Sequence, residues 1–128
     1  MTAWLVRQLV LAIHDEQLAE HGGALGIRDE GLLESALARP LNRAGDGEPN
    51  MAGLAALYAI AIARNHPFID GNRRTAFAAL CVFLALNGLE FEPREVDATV
   101  TMLRLAAGDL TDEDFTAWVR ANSRAGGA

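Results

Sequence analysis

The densest chemistry in this 128-residue chain lies in one run, His66-Pro67-Phe68-Ile69-Asp70-Gly71-Asn72-Arg73-Arg74-Thr75. An imidazole exchanges a proton near neutral pH, so His66 is suited to act as a general base. Asp70 offers hard carboxylate oxygens of the kind Mg²⁺ prefers. Gly71, Asn72 and Arg73 read as the first turn of a helix. Backbone N–H groups lack partners there and the helix dipole presents its positive end, which suits an anion. Glycine at 71 lets a ligand approach the backbone closely. Arg74 falls four residues after Asp70 on the same helical face, and its planar fork matches phosphate oxygens. Pro67 fixes the backbone beside His66, and Phe68 is placed to plug into a core and hold the loop. A base, a metal-binding carboxylate, an amide nest and an arginine together describe a phosphate-transfer site.

Taken singly, these residues have ordinary explanations. A His-Pro turn is commonly structural, an aspartate at a helix start is most often a cap, and paired arginines are usually solvated. The run lies between the two most apolar segments of the chain, where charge is costly without a partner or ligand. Their concentration at that place is what calls for a site.

The elements that must position the run read as helices joined by short breaks, an all-α single domain of about six helices. The first is predicted over residues 3–21, with Trp4, Leu5, Leu9, Ala12, Ile13 and Leu18 at helical spacing and Gly22-Gly23 as its stop. A second starts at an Asp29 cap and ends at Pro40. Residues 40–50 then form a loop with two prolines and two glycines. Asn50 caps a third helix to about Asn65 that is apolar nearly all round, and a fourth runs from near Asp70 to Asn87-Gly88. A fifth follows Pro93 as a first-turn residue. The last begins at Thr111, with Thr111 and Asp114 as a capping box and Leu110 and Phe115 as a hydrophobic staple. The domain spans residues 1–122, and residues 123–128 are expected to be a disordered tail.

Composition narrows the function. The formal charge is −6 and the pI near 4.9, which argues against direct nucleic-acid binding. All 11 basic residues are arginine, so Schiff-base and Walker-type lysine chemistry are excluded. The longest apolar run, residues 76–86, is 11 residues, well short of the roughly 18 to 20 that cross a bilayer. With one cysteine, Cys81, no internal disulfide forms. A soluble cytoplasmic protein is expected, with Cys81 an inert core thiol.

The run resembles the signature of the Fic/Doc (Fido) superfamily, His-x-Phe-x-(Asp/Glu)-Gly-Asn-(Gly/Lys)-Arg. The likeness extends to Ile13-His14-Asp15, Gly22-Gly23, the Asp29 helix and Leu86-Asn87-Gly88, which fall where the death-on-curing (Doc) branch carries similar residues. The resemblance implies an enzyme that moves a phosphate-containing group from a nucleotide to a protein hydroxyl. It makes His66 the base, Asp70 the Mg²⁺ ligand, Asn72 and Arg74 phosphate contacts, and the amides near Gly71 and Arg73 the anion nest. Phe68 is structural, and residues 40–49 stand in the place of the family's target-docking flap.

Two departures shape the expected reaction. Many nucleotidyl-transferring members carry a second arginine three residues after the first, and here that position is Phe77. Its loss resembles the Doc branch, implying a toxin that transfers a phosphoryl group from ATP or another nucleoside triphosphate to a translation elongation factor such as elongation factor Tu. Gly71 follows the broad Fic consensus and Arg73 stands where glycine or lysine is usual, which keeps nucleotidyl (AMP) transfer as the alternative. A catalytically weak, partner-binding domain is the second alternative. The self-inhibitory pattern (Ser/Thr)-x-x-x-Glu-(Gly/Asn) is absent, since Glu30-Gly31 is preceded by Gly26 at the required position. That implies an antitoxin acting in trans.

Other residues have plainer readings. His14 and His21 share a face of the first helix without a third ligand, so zinc is not expected. Trp4 and Trp118 close the core, Asp109 to Asp114 is helix-start chemistry, and Arg64 is placed to salt-bridge or to reach a phosphate.

Overall fold

The computed structural model describes residues 1–45 and 50–126. Its elements are α1 (Arg7–His21), α2 (Glu30–Ala44), α3 (Met51–Asn65), α4 (Asn72–Leu86), β1 (Leu89–Phe91), α5 (Glu95–Ala107), α6 (Asp112–Ala121) and β2 (Ser123–Ala125). The all-α expectation holds, with six helices and one short ribbon among the described residues. None of these helices is long and apolar enough to cross a membrane.

Ten residues of α3, from Ala52 to Ala63, are buried, so this helix is the axis of the fold. Its alanines, with Ala76 and Ala79 of α4, are almost wholly enclosed and let the two helices lie close together. α2, α5 and α6 pack around α3, and α1 lies on α4. Tyr58, Phe68, Phe83 and Phe115 fill the core as its largest buried side chains. α3 and α4 are consecutive and antiparallel in contact, so the turn between them, residues 66–71, emerges at one end of the most buried pair. This is how the fold positions the polar run.

Several helix starts agree with their caps. Asp29 accepts from Leu32 N–H at 3.0 Å, Asn50 from Gly53 N–H at 3.1 Å, and Thr111 from Asp114 N–H at 3.1 Å. Other boundaries move. α1 begins at Arg7 because the backbone of residues 3–5 is taken by tertiary bonds: Asn87 accepts from Ala3 N–H and donates to its carbonyl, and the Tyr58 hydroxyl accepts from Leu5 N–H. α2 continues through Pro40 to Ala44, with the Pro40 ring buried; burial of the ring outweighs the missing backbone donor. α4 begins at Asn72, with Gly71 as its N-cap, and α5 at Glu95, so Pro93 precedes the helix.

The tail is also different from expectation. β2 pairs antiparallel with β1 in the register Leu89–Ala125, Glu90–Arg124, Phe91–Ser123. Arg124 reinforces the ribbon by bonding Glu90 at 2.9 Å and Glu92 at 3.2 Å. Residues 127 and 128 of the predicted tail lie outside the described residues.

Candidate active site

α3 ends at Asn65, and His66 follows in the left-handed conformation with φ 50° and ψ 61°. The next residues are anchored from three directions. Phe68 is fully buried, and its ring stacks on His14 with centroids 3.8 Å apart and planes 9° from parallel. The Asn72 side chain grips the Phe68 backbone at both ends, accepting from its N–H at 3.0 Å and donating to its carbonyl at 2.9 Å. Residues 22–28 run alongside, where Ile27 bridges Phe68 and the Gly26 carbonyl accepts from Ile69 N–H at 3.0 Å. A loop held this firmly presents its next side chains in fixed directions.

Asp70 is the first of these. Its carboxylate accepts from Gly71 N–H at 2.8 Å and Ala24 N–H at 3.2 Å, and its carbonyl receives His14 Nε2 at 2.8 Å. The Nε2 proton of His14 is assigned by that carbonyl, which can only accept. The Ala24 N–H, then the Gly71 N–H, and more weakly the Arg74 and His14 charges, hold the Asp70 carboxyl below its ordinary value. It is therefore ionised at neutral pH.

Gly71 takes φ 75° as the N-cap of α4 and provides no side-chain cap. A β-carbon there would approach Leu18 Cδ2 to 3.1 Å. The first turn of α4 contains no acidic residue, while Arg73 and Arg74 project from it, exposed. The uncapped amides, the dipole and the two guanidinium groups make this end of α4 strongly anion-seeking.

From Arg73 and Arg74 a cleft of about 850 Å³ extends along α4 towards α5 and β1. Phe77, Ala78, Cys81, Phe91 and Met102 give it an apolar wall, with Gln17 and His21 on the α1 side. Phe77 is half-buried and tilted against Phe91 at 6.0 Å. A flat apolar group at that end and an anion at the arginine end would both be accommodated. His66 and Asp70 lie beyond the arginine end and do not line the cleft.

The structure thus brings His66, Asp70, Gly71, Arg73 and Arg74 together around one exposed turn. Asn72 departs from its expected role: it is 8% exposed, and both polar ends of its side chain are engaged by Phe68, so it builds the loop from within. Arg64 bonds Asp112 and the Leu110 carbonyl, tying α3 to α6. Cys81 packs against the core, as expected, and also lines the cleft wall, and burial pushes its thiol up to about 11. The proposed flap is also displaced. Residues 40–44 belong to α2, residues 46–49 lie outside the described residues, and Asn50 sits at the opposite end of α3 from His66, a helix length of roughly 22 Å. The segment beside the 66–71 turn is residues 22–28.

Two contributors escaped the sequence reading. His14, for which the sequence offers no metal site, supports Phe68 and Asp70. Gly22-Gly23 ends α1 as expected, with Gly22 as its C-cap; the further role is that Gly22, Gly23 and Gly26, all with positive φ, carry the chain across the 66–71 turn. Gly23 shows why glycine is needed there, since a β-carbon would lie 2.9 Å from Asp70 Oδ2. Among the described residues no group of three or more His, Cys, Asp or Glu side chains could hold a metal ion. A lone ionised carboxylate beside an anion site fits a hard cation that takes its other ligands from phosphates and water.

An all-helical core whose two innermost helices are joined by a His-Pro-Phe turn, opening onto an uncapped, arginine-flanked helix, has the form of a Fic-type domain. The Fic/DOC family model matches residues 4–84, and the chain belongs to that family. It is 41% identical over 92 residues to "Toxin Doc" of Mycolicibacterium smegmatis, covering 70% of this chain and 68% of that protein. It is 34% identical over 94 residues to "Protein kinase doc" of Escherichia phage P1, covering 71% of this chain and 75% of that protein. Within the family, the chain is Doc-like.

Proposed function

We propose that this chain is a Doc-like toxin that transfers the γ-phosphoryl group of a nucleoside triphosphate, ATP in the simplest case, to a hydroxyl of a translation protein. The observation that carries the reading is the uncapped start of α4, flanked by exposed His66, ionised Asp70 and two arginines. The names of the two relatives, one a toxin and one a protein kinase, support it.

In this mechanism the α4 amides, Arg73 and Arg74 bind the phosphates and bear the charge that spreads over the phosphoryl oxygens. Asp70 would hold Mg²⁺, which when bound would neutralise phosphate charge. His66 takes the proton of the acceptor hydroxyl as its oxygen bonds to the γ-phosphorus. The bond from that phosphorus to the β-phosphate oxygen breaks, and the nucleoside diphosphate leaves with the electron pair. The apolar cleft wall around Phe77 receives the nucleoside. Elongation factor Tu is the acceptor we would test first, and a separate antitoxin chain is the inhibitor, both in the cytoplasm.

The test uses ATP labelled separately at the α- and γ-phosphates, with Mg²⁺ and a bacterial lysate. Protein label from the γ position alone, absent with His66→Ala, is expected. Label from the α position would replace this reading with nucleotidyl transfer. Label from neither, with partner binding intact, would leave a binding domain.

A further inference from the structure

Arg28 lies in the link between α1 and α2, yet its guanidinium reaches the end of α3. Nε donates to the His66 carbonyl at 2.6 Å and Nη2 to the Asn65 carbonyl at 2.7 Å. The Pro67 carbonyl is taken by the backbone N–H groups of Arg28 and Asp29, at 2.7 and 3.1 Å. Two adjacent residues therefore receive three consecutive carbonyls. These groups stand at the negative end of the α3 dipole, where a cation is favoured.

The two side-chain bonds have a particular geometry. The Asn65 carbonyl belongs to the peptide plane before the His66 Cα, and the His66 carbonyl to the plane after it. Holding both planes on one rigid, planar guanidinium fixes φ and ψ of His66 together. His66 is the non-glycine residue with positive φ among the described residues. A residue with a β-carbon stays in that region when its surroundings impose it. The imidazole itself is exposed and makes no hydrogen bond among the described residues, so its direction is set through its backbone.

We infer that Arg28 is a positioning residue for His66, locking the left-handed turn that aims the imidazole at the acceptor hydroxyl. The inference rests on the reading of His66 as the base. It also predicts that lysine is a poor substitute, because one ammonium cannot hold two carbonyls in a fixed plane.

The experiment compares wild type, Arg28→Met, Arg28→Lys and His66→Ala. The chain has three histidines, so their ring Cε1–H signals can be assigned individually by NMR. In Arg28→Met the His66 ring signal should shift or broaden while those of His14 and His21 stay in place. The initial rate of γ-label transfer into a bacterial lysate at saturating ATP should fall about tenfold or more, with the KM for ATP within about twofold. Arg28→Lys should recover a fraction of the rate, and it serves as the test if Arg28→Met does not fold. An unmoved His66 signal, a wild-type rate in a folded Arg28 variant, or a rise in the KM for ATP as large as the loss of rate would each overturn the inference. Wild-type transfer by His66→Ala would instead remove the base reading, and the NMR comparison would still decide whether Arg28 sets the turn.

Discussion

His14 donates from Nε2 to the carbonyl of Asp70 at 2.8 Å, although 56 residues separate them. The same imidazole stacks on Phe68, so one buried side chain of α1 supports both the Phe68 plug and the Asp70 backbone of the 66–71 turn. His14→Phe keeps an aromatic ring on Phe68 but leaves the Asp70 carbonyl without this donor, which should cost about 1–2 kcal/mol. His14→Ala also opens a cavity, raising the loss to about 3 kcal/mol. Urea denaturation of the two variants checks the order.

Asn72 should behave as a structural residue. Asn72→Ala strips two buried backbone groups of Phe68 of their partners, an expected loss of about 3 kcal/mol and about 10 °C in Tm. Asn72→Asp keeps an acceptor for the Phe68 N–H but sets a carboxylate oxygen against the Phe68 carbonyl. Its destabilisation should therefore ease as pH is lowered. Thermal unfolding with no nucleotide present separates these outcomes from a purely phosphate-binding role, under which apo stability would not change.

Asp70 makes stability depend on pH with a definite sign. Its folded value is depressed below the ordinary 3.8, so its contribution is present above that value and lost as pH falls through the lower folded one. Wild type should exceed Asp70→Asn in stability at neutral pH, and the gap should close below about pH 4. Denaturation curves across that window measure it. The same substitution should abolish Mg²⁺-dependent transfer while the fold is kept.

Two adjacent glycines give a controlled comparison. A β-carbon at Gly22 meets nothing within 4 Å, whereas at Gly23 it would lie 2.8 Å from Leu18 Cδ2 and 2.9 Å from Asp70 Oδ2. Gly22→Ala should cost about 1–3 kcal/mol of backbone strain, since φ 81° with ψ 175° is a region essentially reserved for glycine. Gly23→Ala should cost more and displace the Asp70 carboxylate, so transfer should fall in that variant alone. Equal activity of the two variants would show that Asp70 tolerates the crowding.

Cys81 reports on the cleft. Its thiol is pushed up to about 11 by burial, so alkylation near pH 8 should be slow, since the thiolate is the reactive form. ATP with Mg²⁺ should slow it further if the nucleoside lies against the Phe77 wall. Mass spectrometry of the alkylated peptide gives both rates.

Much of this fold was legible because its signals are local. The caps at Asp29, Asn50 and Thr111 need only a side chain three residues from its target. The run from His66 to Thr75 stood out because charge between apolar helices demands a reason. What escaped was set by distant contacts. Residues 3–5 have helical spacing, but Asn87 and Tyr58 take their backbone groups outside the helix. Pro40 is a helix breaker by its own geometry and is retained because its ring is buried. The spacing of His14 to His21 assigns it no role, because its partners, Phe68 and Asp70, lie on another element. Asn72 sat within the signature, and nothing in its type shows that its amide faces inward to Phe68.

The ribbon of β1 and β2 carries a consequence for synthesis. Phe91 and Glu92 line the cleft, and this edge is fixed by Ser123–Ala125, which the ribosome adds after every helix has been made. A nascent chain can bury α3 and set the 66–71 turn while one wall of the cleft still lacks the strand that holds it. If the cleft serves the nucleotide, a chain still on the ribosome is folded before it is armed.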